Sequence, residues 1–387
     1  MNASSLGKIN IKALPTPCYI VDEIALRKNL EIIDSIQKKT DCKILLALKG
    51  FAMFSVFPII KEYLCGTTAS SLDEARLGRE EFGGETHVCA AGYSDEHFKE
   101  ILNYADHIVF NSFSQWQHLK PFVEKSGKKI ECSIRINPEK GKSPAEIYNP
   151  CGKYSRFGVT LAEFEQHEKE LDGITSLHFH ALCEQNSDAL EPVIAAAEEK
   201  FGKYFKKMKS VNFGGGHHIS RKDYDVDKLC ELISNFKKKY GVEVYLEPGE
   251  AIALNTGFLV ASVLDIIKNE IDIAILDASA AAHMPDVIEM PYRPQIEGAG
   301  KQGEFPHTYR LGGPTCLAGD IIGDYSFPEK LNIGDRIIFH DMAHYTMVKN
   351  NTFNGVRLPS IVKCNTQTGK FQVVKKFAYE DYRNRLS

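Results

Sequence analysis

The sequence predicts an α/β protein: a (β/α)8 barrel followed by a C-terminal all-β domain. Between residues 43 and 247, short apolar runs alternate with segments whose apolar residues recur every three or four positions, the spacing of a helix packed on a core. After Glu250 the strand-like runs continue, but Gly, Pro and Asn turns separate them. Strand–helix units repeated over about 200 residues match the size of a closed barrel. The remaining segment has the size of a β-sandwich or small β-barrel.

The predicted barrel elements follow one another in a regular order. A strand at Cys18–Val21 and a helix at Ile24–Lys38 come first, and helical spacing then recurs between most of the later strands. A doubly wound open sheet is the alternative, because periodicity does not show whether the first and last strands pair. The eight barrel strands are predicted at Lys43–Leu48, Thr67–Ala69, His87–Ala90, His107–Phe110, Ile130–Ile136, Ile174–His180, Val211–Phe213 and Val242–Leu246.

We place the barrel at residues 18–250 and the β domain at residues 251–387, with residues 1–17 as a candidate addition to the β domain. No long helical pattern interrupts the second domain, which supports its assignment as all-β. Its strands are predicted at Phe258–Ile267, Ile271–Leu276, Arg336–Phe339, Tyr345–Val348, Val356–Val362 and Phe371–Val374.

Composition excludes several classes of protein. Hydrophobic residues make up 43% and charged residues 25% of the 387 residues, which is typical of a folded chain rather than a disordered one. Lys and Arg number 47 against 51 Asp and Glu, a net charge of −4, so a basic surface for nucleic acid is not expected. The ten cysteines contain no Cys-x-x-Cys pair, which argues against a zinc site.

The sequence also predicts the cellular compartment of the protein. No run approaches the ~20 apolar residues of a membrane span, and the residues before Leu14 lack the apolar core of a signal peptide. Scattered, unpaired cysteines are typical of a reducing compartment. We therefore expect a cytoplasmic protein with free thiols and with no metal, membrane or nucleic-acid partner.

Residues capable of chemistry recur at the carboxyl ends of the predicted barrel strands, where barrel enzymes place their active sites. Each type alone is a weak signal, but their recurrence at one end of the barrel is a strong one. In chain order they are Lys49, Arg135, His178 with His180, Gly214-Gly215-Gly216 and Glu247-Pro248-Gly249-Glu250.

Lys49 and the three glycines each allow a structural and a functional interpretation. Lys49 continues an apolar strand, and it is either a lysine that extends to solvent or an amine kept partly neutral for use as a nucleophile. The glycine run is either a flexible turn or a place where backbone N–H groups approach a phosphate. Its position after the seventh strand favours the phosphate, which barrels commonly bind there.

The histidines leave an alternative open. His178 and His180 lie two residues apart on one strand, so they share a face. With His217 and His218 nearby they raise a metal site as a minor alternative, although no carboxylate or cysteine stands at a recognisable ligand spacing. Glu247 suits an acceptor for a protonated ring nitrogen, or else forms a salt bridge at the barrel end.

These residues, in this order, resemble the pyridoxal-phosphate-dependent decarboxylases of the alanine-racemase fold, the group of ornithine and diaminopimelate decarboxylases. The resemblance runs from about Thr16 to Gly355, and it is specific because the motifs occur in the same order as in the family. The matching motifs are Leu48-Lys49-Gly50, His180, Gly214–Gly216, Glu247-Pro248-Gly249, Gly313-Pro314-Thr315-Cys316, His344-Tyr345-Thr346 and Thr352-Phe353-Asn354-Gly355.

The resemblance implies pyridoxal 5'-phosphate as the cofactor. Lys49 is expected to hold it covalently, His180 to stack on its ring, and Glu247 to pair with its ring nitrogen. Arg135 is expected to hold its polar edge, whereas Gly214–Gly216 and Tyr345 reach its phosphate. The residues Ala181-Leu182-Cys183 stand where the group often has Gly-Ser, which removes one hydroxyl partner for the phosphate.

The resemblance also implies the catalytic acid. Cys316 in the β domain is expected to protonate the carbon that loses carbon dioxide, and to reach the site from the second subunit of a homodimer. Three rivals share the fold: an amino-acid racemase, a non-catalytic carrier of the cofactor, and an inactive homologue that serves as an interaction protein. A racemase would need a tyrosine base in place of Cys316, a carrier resembles a bare barrel, and intact Lys49 and Cys316 argue against inactivity.

Within this group the chain is most similar to the decarboxylases of carboxynorspermidine and carboxyspermidine, which form norspermidine and spermidine in polyamine biosynthesis. Ornithine-type enzymes have Glu-Pro-Gly-Arg, with the arginine on the phosphate, where this chain has Glu250. An acidic wall suits a substrate with several ammonium groups, and the substrate acids are expected to be Glu250, Asp286 and Asp320. A diaminopimelate or other basic amino-acid decarboxylase is the alternative.

Overall fold

The computed structural model describes residues 5–387, and these residues form two compact units. The barrel unit is Asn29–Ile252, and the sheet unit combines the described residues up to Lys28 with Ala253–Ser387. The strands within residues 5–387 are β1 (Cys18–Asp22), β2 (Lys43–Ala47), β3 (Gly66–Ala69), β4 (Glu85–Cys89), β5 (His107–Phe110), β6 (Glu131–Arg135), β7 (Ile174–His178), β8 (Ser210–Asn212), β9 (Glu243–Leu246), β10 (Gly257–Asn269), β11 (Ile271–Leu276), β12 (His307–Gly312), β13 (Ile321–Phe327), β14 (Arg336–His340), β15 (Ser360–Asn365) and β16 (Lys370–Lys375).

The helices vary from one turn to eighteen residues. They are α1 (Glu23–Thr40), α2 (Phe57–Ile60), α3 (Leu72–Leu77), α4 (Asp95–Ile101), α5 (Phe113–Lys125), α6 (Leu161–Gln166), α7 (Leu190–Phe205), α8 (Val226–Tyr240), α9 (Glu250–Ala253), α10 (Ala280–His283), α11 (Asp286–Glu289), α12 (Thr346–Lys349) and α13 (Tyr379–Arg383). Among the described helices, none is both long enough and apolar enough to cross a membrane.

Strands β2 to β9 form a closed parallel barrel in chain order. Its closure comes from the pairing of β2 with β9, in which Lys43 lies opposite Tyr245 and Ile44 opposite Leu246. Because the first and last strands pair, the predicted barrel is confirmed and the open doubly wound sheet is excluded. The buried apolar residues of each strand fill the interior, as in other barrels of this size.

Helix α8 illustrates why the segments between the strands are helical. The Asp225 side chain accepts a hydrogen bond from the Lys228 N–H and caps the first turn, and Gly241 ends the helix with φ 69°. Lysines in the last turn are favourable beside the helix carboxyl end. The buried residues Leu229, Ile233 and Phe236 share one face, which packs on the barrel as the periodicity predicts.

The sheet unit contains eight strands in a mostly antiparallel sheet, in the order β13-β12-β11-β10-β1-β15-β16, with β14 also paired to β10. Strand β1 belongs here, because Cys18–Asp22 pairs with β10 on one side and with β15 on the other. The predicted barrel start at residue 18 therefore differs from the structure, which places residues 18–28 with the sheet.

Both faces of this sheet are buried, and the alternation along each strand divides the side chains between two cores. Tyr19 and Leu259 belong to one apolar cluster, whereas Ile20 and Val260 belong to the other. Residues i and i+1 of a strand point to opposite faces, so a sheet covered on both sides requires continuous apolar runs. This accounts for the five buried residues of β1.

Two predictions in the sheet unit were wrong. Residues 345–348 are not a strand, because Tyr345 has φ 47° and the helix α12 follows it, and that backbone cannot continue a pleated strand. Strands β12 and β13 were missed because polar residues interrupt their apolar pattern: Arg310 of β12 pairs with Asp324 of β13, and Gly323 lies in β13 beside it.

A network of polar side chains lies at the amino ends of the barrel strands. The Lys43 ammonium lies 3.2 Å from one Glu85 oxygen, and the Tyr245 hydroxyl donates to the other at 3.2 Å. The His87 ring also lies 3.4 Å from the Glu85 carboxylate. The contact with His87 lowers the pKa of Glu85 to about 2, with help from Lys43 and against the opposing effect of burial.

We expect Glu85→Gln to lower the free energy of unfolding by about 1–2 kcal/mol at neutral pH, the range for a partly buried charged hydrogen bond. Since the pKa of folded Glu85 lies below the ordinary value of 4.5, its stabilisation is present above pH 4.5 and disappears as the pH falls towards 2. Urea unfolding of the variant and wild type across this range measures the difference.

Glu243→Gln is the matched control, because Glu243 also lies near Lys43, at 3.6 Å, but its side chain is 59% exposed. We expect it to change stability by less than about 0.5 kcal/mol. Equal losses in the two variants, or a loss for Glu85→Gln that does not depend on pH, would contradict the assignment.

Candidate active site

Lys49 lies in a turn directly after β2, at the carboxyl end of the barrel. The Leu48 N–H donates to the Thr68 carbonyl at 3.0 Å, and the Ala47 N–H donates to the Pro248 carbonyl at 3.1 Å. These bonds tie the turn to the neighbouring strands β3 and β9. A Cβ on Gly50 would lie 3.0 Å from the Glu250 nitrogen, so the turn packs closely on the segment that follows Glu247.

The Lys49 side chain is exposed to solvent, although neighbouring protein partly desolvates its amine. This desolvation and the nearby Arg135 guanidinium lower the pKa of the amine. Arg135 is buried, with 8% of its surface exposed, and its guanidinium lies 4.4 Å from the centre of the Phe157 ring. A buried, fixed cation beside an accessible amine increases the neutral, nucleophilic fraction of that amine.

Glu247 is a buried carboxylate at the end of β9. The Asn212 amide donates to one oxygen at 2.8 Å, and His178 Nε2 lies 3.3 Å from the other. Burial alone would raise the pKa of Glu247, but these contacts outweigh burial and lower it to about 2. Burial also lowers the pKa of His178, so the pair consists of an ionised carboxylate and a neutral ring.

His180 follows the end of β7 and faces the glycine segment. The Gly215 N–H donates to His180 Nδ1 at 2.9 Å, which leaves Nε2 as the protonated nitrogen of the neutral ring. Burial and the Lys49 ammonium hold the pKa of His180 well below its usual range. A neutral, oriented imidazole is suited to stack on a planar ligand.

The glycine segment packs against the barrel so closely that side chains are excluded. A Cβ on Gly215 would lie 2.3 Å from the Glu247 carbonyl, and one on Gly216 would lie 1.9 Å from the Leu182 carbonyl. The Gly214 N–H donates to Asn212. The N–H groups of Gly214 and Gly215 already donate within the barrel. The segment therefore contributes to phosphate binding mainly by leaving space for the ligand.

The four histidines that raised a metal alternative have separate partners. His178 contacts Glu247 and His180 contacts Gly215, as described. His217 Nδ1 lies 3.3 Å from the Tyr224 hydroxyl, and His218 Nε2 lies 3.0 Å from a Glu250 oxygen. The structure therefore does not bring their free nitrogens to one point.

A different group of metal-type ligands lies at the opposite, amino end of the barrel. One ligand atom each of Glu85, His87 and His107 lies within 4.8 Å of the others. The two rings are stacked, with centroids 3.9 Å apart and planes 20° apart, so their in-plane lone pairs do not converge on one ion. Lys43 and Tyr245 already donate hydrogen bonds to the Glu85 carboxylate.

In the sheet unit, Cys316 lies on an exposed loop. Its N–H donates to the Asn354 side chain at 2.8 Å, which ties the loop to the segment after α12. The loop ends at Asp320, which is buried, and all the contacts described for this carboxylate are internal. Ser279 Oγ donates to it at 2.9 Å and Thr315 Oγ1 at 2.7 Å.

The sequence predicts that Asp320 contacts the substrate, whereas these contacts place its carboxylate in the interior of the sheet unit. A substrate acid must be accessible, whereas Asp320 is 3% exposed and is held by its own loop and by the first turn of α10, where the Ala281 N–H donates to it at 3.2 Å. We therefore do not retain Asp320 as a substrate acid. Its carboxylate holds the Cys316 loop in shape.

Asp286 lies at the start of α11 and already has a cationic neighbour. The Lys349 ammonium binds Asp286, and it lies 2.6 Å from the Glu289 carboxylate. Partial burial would lower the pKa of Lys349, but the two carboxylates outweigh burial and raise it. Two acids facing one lysine leave this group with a net negative charge.

Tyr345 precedes α12 in a conformation that is rare for a residue with a side chain. Its φ is 47° and its ψ is −51°, outside the favourable left-handed region. Strained backbone of this kind persists where surrounding structure enforces it, commonly at functional sites.

Comparison with known proteins decides the family. Residues 18–343 match the model of the pyridoxal-dependent decarboxylases described by their C-terminal sheet domain. The chain belongs to this family. It is therefore a pyridoxal-dependent decarboxylase, and its cofactor is pyridoxal 5'-phosphate.

Two relatives and one solved structure are similar over nearly the full length. The carboxynorspermidine/carboxyspermidine decarboxylase of Campylobacter jejuni is 47% identical over 96% of this chain and 98% of its own. The carboxyaminopropylagmatine decarboxylase of a Synechocystis species is 43% identical over 97% and 96%. The crystal structure of C. jejuni carboxynorspermidine decarboxylase with norspermidine has a TM-score of 0.89, with 46% identity over 96% of this chain and 100% of that one.

The barrel end of this decarboxylase fits the cofactor by the chemistry of its side chains. Lys49 supplies an accessible amine of lowered pKa, which suits covalent attachment. Glu247 supplies a buried carboxylate held ionised by two donors, which suits a protonated ring nitrogen. The residues expected from the sequence at this end therefore lie together in one unit.

Sequence inspection missed several residues that orient this site. Asn212 directly precedes the three glycines, and its position at a strand end was the available signal for a role beside Glu247. His178 was placed at the strand ends, but no role beside Glu247 was predicted for it. The contacts of Asn354 with Cys316 and of His218 with Glu250 join residues far apart in sequence, so no local pattern could reveal them.

We expect Asp320→Ala to lower the free energy of unfolding of the sheet unit by about 2–4 kcal/mol, because it leaves buried donors of Ser279 and Thr315 unpaired. Chemical unfolding measures this loss. Labelling of the Cys316 thiol, followed by peptide mass spectrometry, should also become faster as the loop loosens.

Asp324→Asn is the control, because Asp324 pairs with Arg310 in a partly exposed contact at 2.8 Å. Its loss should stay below about 1 kcal/mol, and Cys316 labelling should not change. A mild effect of Asp320→Ala with unchanged labelling would show that the carboxylate does not organise the loop.

Proposed function

We propose that this decarboxylase converts carboxynorspermidine and carboxyspermidine to norspermidine and spermidine with release of carbon dioxide, a step of polyamine biosynthesis. The observation that carries the proposal is Glu250, an acid directly after Glu247-Pro248-Gly249 and packed against the Lys49 turn. The name of a similar C. jejuni protein, and the norspermidine in the crystal structure of C. jejuni carboxynorspermidine decarboxylase, support it.

The barrel residues divide the work on the cofactor. Lys49 would attach the cofactor, Arg135 would hold its polar edge and His180 would stack on its ring. Glu247 keeps the ring nitrogen protonated, because a close carboxylate raises the pKa of its cationic partner. When bound, pyridoxal phosphate supplies an electron sink for the carbanion left by loss of carbon dioxide.

The phosphate is assigned to Gly214–Gly216 and Tyr345. The glycines support this role by leaving no side chain between the backbone and a ligand, and the positive φ of Tyr345 supports it as enforced geometry. An arginine at position 250 would add a phosphate ligand, but Glu250 repels an anion. We therefore assign Glu250 to substrate binding and not to phosphate binding.

The substrate acids are Glu250 and Asp286. Glu250 is partly buried, which strengthens its attraction for an ammonium over that of an exposed acid. Asp286 acts together with Glu289 beside Lys349, where two carboxylates exceed one ammonium. A carboxy-triamine carries several ammonium groups, so more than one acid suits it better than ornithine.

Cys316 donates the proton that replaces the carboxyl group, and we propose that it does so from the second subunit of a homodimer. Its exposure supports this role, because a thiol on the surface of one copy can reach another. Neighbouring Leu317 and Phe353 are 43% and 44% exposed, and Ile147 and Tyr154 on a barrel loop are 85% and 90% exposed. Exposed large apolar residues at such positions are typical of interfaces.

A second substrate is favoured by one comparison. The Synechocystis relative acts, by its name, on carboxyaminopropylagmatine, which bears a guanidinium where a carboxy-triamine bears an ammonium. Both cations suit Glu250 and Asp286.

All ten cysteines are free within residues 5–387, which supports the proposed cytoplasmic location.

Carbon dioxide release should discriminate among these substrates. We expect kcat/KM for carboxynorspermidine and carboxyspermidine to exceed that for diaminopimelate and ornithine by more than about 100-fold, because only the triamines carry two further ammonium groups beside the α-amino group. The two triamines should differ less, since one methylene is worth only ~1–3 kcal/mol. Carboxyaminopropylagmatine should be measured beside them.

Glu250→Gln should lower kcat/KM for the triamines by about 10- to 100-fold, the range for a lost charged hydrogen bond. The control is any turnover of ornithine, which should not fall with it. Ornithine turnover comparable to that of the triamines in the wild type would overturn the proposed specificity.

Mixing two inactive variants tests the shared site. Lys49→Ala and Cys316→Ala should each lose decarboxylation, Cys316→Ala by ~10²–10⁴-fold as for a positioned acid. After subunit exchange, the mixture should recover about a quarter of wild-type activity, because half of the dimers are mixed and each has one intact site. No recovery, despite exchange shown by mass spectrometry, would mean that both residues act within one chain.

A further inference from the structure

The loop that carries Cys316 is held from two sides within the sheet unit. On one side, Thr315 Oγ1 donates to the buried Asp320 carboxylate at 2.7 Å. On the other side, the Cys316 N–H donates to Asn354 Oδ1 at 2.8 Å. The second bond lies at the surface, where water competes for both partners. Its value as a constraint therefore depends on how firmly Asn354 is itself held.

The turn that contains Asn354 has a left-handed backbone at two successive residues. Asn354 has φ 54° and ψ 16°, and Gly355 follows it with φ 72°. Asparagine and glycine are the residues that enter this region at the lowest cost. The Gly355 N–H donates to the Thr352 carbonyl at 3.0 Å and closes the turn. The residue types therefore match the backbone that the turn requires.

Asn351 anchors this turn to the short helix α10. Its side-chain amide donates to the Ala281 carbonyl at 2.9 Å, and its side-chain oxygen accepts from the Phe353 N–H at 2.9 Å. The Ala281 N–H in turn donates to the Asp320 carboxylate at 3.2 Å. Helix α10 therefore anchors both supports of the Cys316 loop.

The last residues of the chain contact the same turn. An Arg385 nitrogen donates to Thr352 Oγ1 at 2.6 Å, and Thr352 is buried, with 5% of its surface exposed. The Tyr382 ring of α13 packs beside Gly355, where a Cβ would lie 3.5 Å from the ring. A hydrogen bond and a packing contact therefore join the C-terminal residues to the turn that holds Asn354.

We infer that Asn354 is a positioning residue for the Cys316 thiol, and that Tyr382 and Arg385 keep Asn354 in place. The inference rests on the proposed function, in which Cys316 donates a proton. A proton donor acts only within hydrogen-bond reach of its acceptor, and a misplacement of ~1 Å can lower a rate ~100-fold. The Asn354 bond uses the backbone N–H of Cys316, so it fixes the main chain without using the thiol proton.

The first test removes the side chain that accepts the Cys316 N–H. Asn354→Gly suits the test because glycine tolerates the φ of 54°. In the holoenzyme with carboxynorspermidine, we expect kcat for norspermidine formation to fall about tenfold and KM to change less than about twofold, because the chemical step is affected and binding is not. Asn354→Asp, whose carboxylate can accept the same N–H, should restore kcat to within about threefold. The cofactor absorption spectrum should not change in either variant.

The C-terminal residues offer a matched pair of variants. Arg385→Met removes the donor to Thr352 and should lower kcat about threefold at constant KM, as expected for one indirect hydrogen bond. Arg385→Lys, whose ammonium can donate to the same hydroxyl, should recover kcat. Arg383→Ala is the control, because Arg383 lies in α13 but donates to the Asn384 side chain at 2.9 Å. It should remain close to wild type.

A double-mutant cycle with Cys316→Ala separates the possible failures. If Asn354 acts through Cys316, Asn354→Gly should lower the residual rate of Cys316→Ala by less than about twofold. A full loss in that background, an unchanged kcat in Asn354→Gly, or no rescue by Asn354→Asp would overturn the positioning role while leaving Cys316 as the donor. Equal effects of Arg385→Met and Arg383→Ala would overturn the part assigned to the C-terminal residues. Full activity of Cys316→Ala itself would overturn the donor role and the inference with it.

Discussion

The pairing of the first and last barrel strands is the constraint on which the candidate site depends. Residues near 45 and 245 are distant in sequence, yet β2 and β9 are adjacent, and the Ala47 N–H bonds the Pro248 carbonyl just beyond them. That closure sets the Lys49 turn beside Glu247 and Glu250. The amine and both acids therefore share one end of the barrel although no local interaction specifies it.

Within that frame, buried polar contacts determine what each side chain can do. Asn212 and His178 keep Glu247 ionised, and the Gly215 N–H selects the tautomer of His180. Each contact uses a neutral donor to define the charge or the tautomer of its neighbour. The same low-dielectric surroundings make these contacts costly to disturb.

The sequence predicted the barrel well because its periodicity is local: all eight barrel strands were found, each end within two residues of the structure, although the role of Asn212 was not. It failed where neighbours in space decide the outcome. Strand β1 joins the sheet unit because β10 and β15 lie on either side of it, and β12 is held to β13 by an Arg310–Asp324 pair that breaks the apolar pattern. Asp320 resembled a substrate acid until its buried donors were visible.

The lysine between Asp286 and Glu289 affects the protein before any ligand binds. Two carboxylates that contact the same ammonium lie close enough to repel each other. The Lys349 ammonium relieves this repulsion, as an internal counter-ion supplied by the chain. Under the proposed function, a substrate ammonium that binds Asp286 replaces the Lys349 ammonium, so the net gain in free energy is smaller than for an acid without a cationic neighbour.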